Sequence, residues 1–114
     1  MKNNREWLRT GAQLMILSLI KEKERYGYEI IKELHERSEN VFEMKEGTLY
    51  PILHRLELKG YLKSYIQMAE TGKERKYYYI TPKGKKQLVE DKETWKQFSE
   101  SVSKVVTTPQ YHGM

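Results

Sequence analysis

Four polar side chains lie on one face of a helix that the sequence predicts between Glu46 and Gly60. Thr48 and Tyr50 bring hydroxyl groups, His54 an imidazole, and Arg55 a guanidinium. A guanidinium can pair with guanine or with a phosphate, and hydroxyl and imidazole groups can reach base edges or phosphate oxygens. The opposite face is apolar at spacings of three and four, with Leu49, Ile52, Leu53 and Leu56. The outer face therefore suits contact with a polar polymer.

Proline and glycine mark the two ends of this helix. Pro51 lies close enough to the start to leave few hydrogen bonds unmade, and Gly60 supplies the left-handed residue that ends helices. The first half of such a helix normally enters a DNA groove, so Pro51 joins Thr48 and Tyr50 as a predicted contact. Glu57 is expected to point away from the DNA or to be spare. The alternative is an ordinary amphipathic helix whose outer face is solvated.

A second cationic group follows the helix. Aromatic and branched residues over 61–68 and 75–81 predict two strands of a hairpin. Lys73, Arg75 and Lys76 lie at its turn or just beyond. They suit a clamp on DNA phosphates, in which each contact releases about one counterion. The alternative is a solvated hairpin whose charges prevent edge-to-edge pairing of strands.

The sequence contains no catalytic motif. The histidines His35, His54 and His112 lack the i, i+4 spacing of a metal site, and no nucleophile elbow or phosphate-binding loop occurs. There is no cysteine, which excludes disulfides and thiolate metal sites. We therefore predict no enzyme activity, no cofactor and no metal.

Length and charge limit the class of protein. The chain has 114 residues, enough for one domain, and a formal net charge of +5, which suits a polyanionic partner. It has no apolar run long enough to span a membrane, and Glu6 and Arg9 near its start argue against a signal peptide. With the lack of cysteine, this predicts a cytoplasmic protein.

The predicted elements follow one another as three helices, a hairpin and a long last helix. The first helix covers residues 5–22, and the second begins at 26–28 and ends near Ser38. The last runs from Pro82 to about Val106, after Thr81 as a typical N-cap.

This order predicts a mostly α fold with a small β-hairpin, a winged helix-turn-helix whose third helix reads DNA while the wing contacts the backbone. We assign residues 1–81 to the DNA-binding part, and its helix 5–22 also to a dimer interface. Residues 82–106 form a dimerisation helix, and 107–114 are expected to be a disordered tail.

The last helix carries an apolar seam that predicts a dimer. Apolar residues recur every seven positions from Leu88, and two more follow by three positions, as in a coiled coil. The predicted interface consists of Leu14 and Leu17 of the first helix and Leu88, Trp95, Phe98, Val102 and Val105 of the last. A coiled-coil interaction module without specific DNA binding would explain this seam but not the basic hairpin.

Trp95 has two interpretations. Its place in the seam makes it part of a dimer core. If two last helices cross near it, the two indoles could instead sandwich a flat apolar or cationic molecule. The predicted effector pocket consists of Trp7, Gly11, Leu14, Trp95 and Phe98.

Three blocks of residues resemble the short form of the PadR family of bacterial transcriptional regulators. They are Tyr26–Ile30, Glu46–Glu57, and Arg75–Tyr78 followed by Thr81 and Gly84. Their order and spacing match, and the resemblance extends from residue 5 to about residue 106. It implies a homodimeric winged helix-turn-helix repressor that binds a partly palindromic operator in double-stranded DNA, associated with the nucleoid when bound.

The resemblance also implies an effector. Some short members similar to this chain bind flat drugs between paired tryptophans of the last helix, and Trp95 falls at the matching place. Others respond to phenolic acids. A small aromatic or cationic effector is therefore expected, and the alternative is a DNA-binding regulator without a small ligand. The wing turn, residues 70–74, has fewer glycines and arginines than many members show.

Overall fold

The computed structural model describes residues 11–107 and residue 109, which form four helices and three strands. The helices are α1 (Ala12–Glu22), α2 (Gly27–Arg37), α3 (Glu46–Leu58) and α4 (Pro82–Thr107). The strands are β1 (Arg25–Tyr26), β2 (Leu62–Met68) and β3 (Glu74–Ile80). This architecture confirms the predicted winged helix-turn-helix, in which β2 and β3 form the wing.

Helix α1 lies at the centre of the core. Of the helix predicted over residues 5–22, the described part begins at Ala12, with Gly11 as its N-cap at φ −129° and ψ −19°. Residues 5–10 lie outside the described residues. The buried side chains of α1 are Ala12, Ile16, Leu17, Leu19 and Ile20. Because they cover more than one side of the helix, α1 contacts α2, β3 and α4 at once.

Helices α2 and α3 form the helix-turn-helix. At the start of α2, the backbone N–H of Tyr26 donates to the Glu29 carboxylate at 3.2 Å, which is half of a capping box. Glu39 and Asn40 turn the chain between the helices with φ of 53° and 70°. Helix α3 then buries its apolar face in the core, with Leu49, Ile52, Leu53 and Leu56.

A two-residue strand that the sequence did not predict completes the sheet. Strand β1 pairs antiparallel with β3, and β3 pairs with β2, so the order is β1-β3-β2. Strand β1 was missed because a pair of residues within a charged segment carries no alternating pattern. Of the three consecutive tyrosines in the central strand, Tyr78 is buried, and Tyr77 and Tyr79 are half-buried.

Helix α4 begins in the core and leaves it after Leu88. The Thr81 hydroxyl accepts a hydrogen bond from the Gly84 N–H at 3.0 Å, as an N-cap, and donates to the Gly60 carbonyl at 2.6 Å. Gly84 and Leu88 are buried, and every later residue of the helix is half-buried or exposed. At 1.5 Å per residue, the helix continues roughly 28 Å past Leu88.

Candidate nucleic-acid interface

The outer face of α3 is open to solvent. All five residues predicted to contact DNA from this helix are exposed: Thr48, Tyr50, Pro51, His54 and Arg55. The helix ends as predicted, with Lys59 as C-cap and Gly60 at φ 81°. The fold therefore presents the five side chains together on one surface, and their contact with DNA stays a prediction.

A groove joins the start of α3 to the wing. Its volume is about 360 Å³, and it lies between the first turns of α2 and α3 and the wing. The residues that line it are Tyr26, Tyr28, Glu46, Tyr50, Lys73, Glu74, Arg75 and Lys76. The groove thus brings Tyr50 together with all three predicted wing cations, and two carboxylates accompany them.

The three wing cations have different surroundings. Lys73 is exposed at the turn and makes no ion pair with any residue in the described part of the chain. The guanidinium carbon of Arg75 lies 4.5 Å from the ring centroid of Tyr26, a cation–π contact. Lys76 Nζ lies 3.7 Å from a Glu57 oxygen. Lys73 is therefore the wing cation with the fewest contacts to the protein itself.

Glu57 connects α3 to the wing, a contact that the sequence did not predict. One carboxylate oxygen accepts a hydrogen bond from the Ser64 hydroxyl at 2.8 Å, and the other faces Lys76. Its side chain is 26% exposed. The sequence pattern did not reveal this contact because the wing folds over the last turn of α3, which only the tertiary structure brings about.

Tyrosine rings join β1 to the far side of the wing. Tyr65 stacks on Tyr77 with centroids 5.7 Å apart, and Tyr79 lies 6.2 Å from Tyr65. Tyr26 meets Tyr77 edge to face at 5.3 Å. Such aromatic pairs contribute beyond their buried area. They fix the position of the hairpin relative to α2.

Burial raises the pKa of Tyr78 to about 12, and the nearby Glu57 carboxylate acts in the same direction. The phenol therefore stays neutral at physiological pH. The ammonium group of Lys76 lies over the Tyr78 ring, 5.5 Å from the ring centroid. The neutral ring of Tyr78 therefore lies near the charged side chains of Glu57 and Lys76.

A buried arginine that the sequence did not single out supports the start of the groove. Arg25 donates to the Leu19 carbonyl at 2.8 Å and to Glu22 at 2.9 Å. Glu22 also accepts from Arg37 at 2.7 and 2.9 Å, and these bonds lower the pKa of Glu22 to about 2. This ion network holds β1, and so Tyr26, in place. Arg25 was missed because it belongs to a run of charges with no period.

The residues predicted for the dimer interface fall into three groups by exposure, and Leu14 alone is half-buried. Leu17 and Leu88 are 0% and 1% exposed within a single chain, so both belong to its core and have no area left to bury against a partner. We therefore remove them from the predicted interface. Their periodicity showed an apolar face without showing what covers it. The exposed members are Trp95, Phe98, Val102 and Val105.

The residues predicted for an effector pocket are only partly brought together. The rings of Trp95 and Phe98 are 6.1 Å apart, and both are exposed. Leu14 instead lines a cleft of about 290 Å³ between α1 and α2. Gly11 is half-buried at the start of α1, and Trp7 lies outside the described residues.

The described residues contain neither a candidate metal site nor a helix that could span a membrane. Between residues 11 and 107, no group of three or more His, Cys, Asp or Glu side chains could hold a metal ion. No helix that the structure describes is both long and apolar enough to cross a membrane.

An exposed third helix, here α3, beside a hairpin wing and a small helical core defines the class of winged helix-turn-helix proteins. The model of the "Transcriptional regulator PadR-like family" matches residues 16–90. The chain belongs to this family of transcriptional regulators, and DNA-binding regulation follows from that membership. Members of the family are regulators and not enzymes, which confirms the prediction that this chain has no enzyme activity.

Individual relatives agree with this assignment. Transcriptional regulator Rv3488 of Mycobacterium tuberculosis is 35% identical over 98 residues, which cover 86% of this chain and 88% of the relative. A transcriptional regulator from Clostridium thermocellum is similar in structure with a TM-score of 0.81 and 39% identity, covering 90% of this chain and 99% of that one. A PadR-like transcriptional regulator from Bacillus cereus is similar with a TM-score of 0.80 and 31% identity, covering 91% of this chain and 99% of that one.

Proposed function

We propose that the protein is a homodimeric repressor that binds a partly palindromic operator in double-stranded DNA. The observation that carries this proposal is the apolar stripe on α4. Trp95, Phe98, Val102 and Val105 follow one another at helical spacing and are 46%, 56%, 43% and 81% exposed in the single chain. A stripe of this size in water favours a partner with the same stripe, and homodimers are typical of the family.

In this proposal each subunit contributes one half of the reading surface. Thr48, Tyr50, Pro51, His54 and Arg55 of α3 enter the major groove, while Lys73 and Arg75 contact the phosphates beside it. A two-fold dimer axis turns the two reading helices toward equivalent half-sites, which is why the operator is partly palindromic. Lys76, also predicted as a phosphate contact, faces Glu57 in the free protein.

The division of labour along the chain follows from burial. We propose residues 1–81 as the DNA-binding part and 82–106 as the dimerisation helix, with the first two turns of α4 shared. Gly84 and Leu88 pack into the core of the DNA-binding part, and Thr81, just before α4, donates to the Gly60 carbonyl just after α3. A change in the angle of α4 would therefore act on the end of α3. The protein acts on DNA in the bacterial cytoplasm, and occupation of a promoter blocks transcription.

An aromatic or cationic effector would bind between the two copies of Trp95. The support is the exposure of the Trp95 and Phe98 rings, which lie within stacking distance of each other. A ligand seated there would change the spacing of the two reading helices and release the operator. The alternative is a regulator in which the same rings only close the dimer.

The dimer and the operator are tested together. DNA fragments that bind the protein are selected from a random pool, and the mass of the complex is measured by light scattering. Two chains per symmetric site are expected, and one chain per site would contradict the proposal. For repression, transcription in vitro from a promoter containing the selected site should fall when the protein is added.

The effector site needs a separate measurement. A planar cationic dye is titrated while tryptophan emission is followed, in the wild type and in Trp95→Phe. Quenching that is lost in the variant supports the site. Equal quenching in both proteins would assign the dye to another location, and no quenching would favour a regulator without such a ligand.

A further inference from the structure

Glu57 lies where a carboxylate is electrostatically disfavoured. It belongs to the last turn of α3, at the negative end of the helix dipole, where cations are preferred. Its side chain is only 26% exposed. The Glu57 carboxylate is stabilised here by side chains from the two strands of the wing.

The two oxygens of Glu57 face side chains from different strands. Ser64 of β2 donates to one oxygen at 2.8 Å, and Lys76 of β3 lies 3.7 Å from the other. In the sheet register Ser64 is paired with Tyr78, two residues from Lys76. Side chains two residues apart share a face of a sheet, so Ser64 and Lys76 project from the face of the wing that meets α3.

Lys76 is directed toward α3 by this arrangement. Its ammonium group lies between the Glu57 carboxylate and the ring of Tyr78, 5.5 Å from the ring centroid. At 3.7 Å the pair with Glu57 is too long for a hydrogen bond, so charge attraction alone holds it. Half-exposed pairs of this kind are weak. The carboxylate therefore competes with a DNA phosphate for Lys76, and its removal would leave the lysine free for the phosphate.

We propose that Glu57 is a positioning residue that competes with the DNA backbone for the charge of Lys76. The Ser64 hydrogen bond fixes the carboxylate, and the carboxylate keeps the lysine charge beside the reading helix. Phosphate contacts supply most of the sequence-independent affinity, so a weaker contact from Lys76 lowers the affinity for DNA of any sequence. The inference rests on the proposed contact of α3 and the wing with DNA.

The test measures how binding to a fluorescently labelled duplex of mixed sequence depends on salt. Glu57→Gln keeps an oxygen for Ser64 and removes the charge, so it should tighten binding and steepen the slope of log K against log[salt] by up to about 0.9. Lys76→Met alone should flatten the slope less than Lys73→Met does. In Glu57→Gln/Lys76→Met the slope should equal that of Lys76→Met. Lys73→Met is the matched control, because an exposed wing lysine on a phosphate should flatten the slope.

Two outcomes would overturn the inference. Lys76→Met could flatten the wild-type slope as Lys73→Met does, which would place Lys76 on a phosphate already. Glu57→Gln could leave both slope and affinity unchanged. Thermal melts of the variants confirm that each is folded. A wild-type protein that binds no DNA would overturn the proposed function, and the inference with it. Normal wild-type binding with an unresponsive Glu57→Gln would overturn the inference alone.

Discussion

A β-carbon on Gly27 would lie 2.5 Å from the hydroxyl oxygen of Tyr50. Gly27 is the first residue of α2, and Tyr50 projects from the outer face of α3. The missing side chain lets the phenol ring pass close to the start of α2 and border the groove beside the wing. Two segments that looked independent in the sequence are therefore one structural unit.

Gly27→Ala should weaken DNA binding with little effect on folding. The clash falls on the far end of a side chain that can rotate, and alanine is the better helix residue, so stability should change by less than about 1 kcal/mol. The displaced Tyr50 hydroxyl would lose its proposed hydrogen bond to a base edge or phosphate of the DNA, for which we expect about a tenfold weaker operator affinity. Fluorescence anisotropy and urea unfolding measure the two effects.

A double-mutant cycle identifies the cause. In a Tyr50→Ala background the clash no longer exists, so Gly27→Ala should cost no further affinity. If the two changes were additive, Gly27 would act through something other than Tyr50.

Gly84→Ala should destabilise the fold, in contrast to Gly27→Ala. Its β-carbon would overlap the backbone carbonyl oxygen of Tyr61 and lie 2.8 Å from an Ile80 side-chain carbon. A backbone group cannot rotate away, so α4 would have to move, at a cost of about 3 kcal/mol. Urea unfolding followed by circular dichroism measures this change.

Gly47→Ala is the matched control for this measurement. Gly47 is also in the first turn of a helix, but a β-carbon added there would meet no neighbouring side chain or strand within 4 Å. There the change should be neutral or stabilise by about 0.5–1 kcal/mol. Equal destabilisation by the two variants would show that contact with Tyr61 is not what excludes a side chain at Gly84.

Local patterns predicted the elements that are long and periodic. The apolar face of α3, its end at Gly60 and the hairpin after it follow from spacing and from single residues with special backbone preferences. The roles of Arg25 and Glu57 could not be predicted. Each is one charge in a charged region, and its partner lies on another element that only packing brings near. Periodicity also could not decide whether an apolar face is covered by the same chain or by a partner. Leu88 was predicted for the dimer interface but is buried within the single chain.

Glu22 makes stability sensitive to acid. Its folded-state pKa of about 2 lies below the ordinary carboxyl value of 4.5, mainly because Arg37 donates to it. A depressed pKa contributes stability that is complete above pH 4.5 and is lost as the pH falls toward 2. Glu22→Gln should therefore be less stable than the wild type at neutral pH, and the difference should shrink between pH 4.5 and 2.

Unfolding free energies measured across this pH range test the assignment to Glu22. Glu36→Gln is the control, since Glu36 is exposed on α2 and makes no ion pair within residues 11–107. Its free energy of unfolding should stay close to that of the wild type. A difference between wild type and Glu22→Gln that stays constant down to about pH 2 would exclude the ion network as its source.

Arg55→Ala should weaken operator binding by about 1–3 kcal/mol. Its guanidinium is exposed on α3 and makes no ion pair with another described residue, so it is free to reach a base edge or a phosphate. Loss of discrimination at one base position would indicate a guanine contact, and a uniform loss across sequences a phosphate contact. Lys104→Ala, which removes an exposed cation near the end of α4, is the control and should bind normally.

Phe98→Lys should dissociate the dimer. Phe98 is 56% exposed in the single chain and lies in the middle of the α4 stripe, so a charge there would be buried twice in a symmetric interface. Losing two buried aromatic side chains costs about 3–6 kcal/mol, which raises the dissociation constant by roughly two to four powers of ten. Gln97→Lys changes the charge equally at the neighbouring exposed position outside the stripe, and its dimer should persist. Sedimentation over a dilution series distinguishes the two, and a Phe98→Lys protein that stays dimeric at the lowest concentration would place the interface elsewhere.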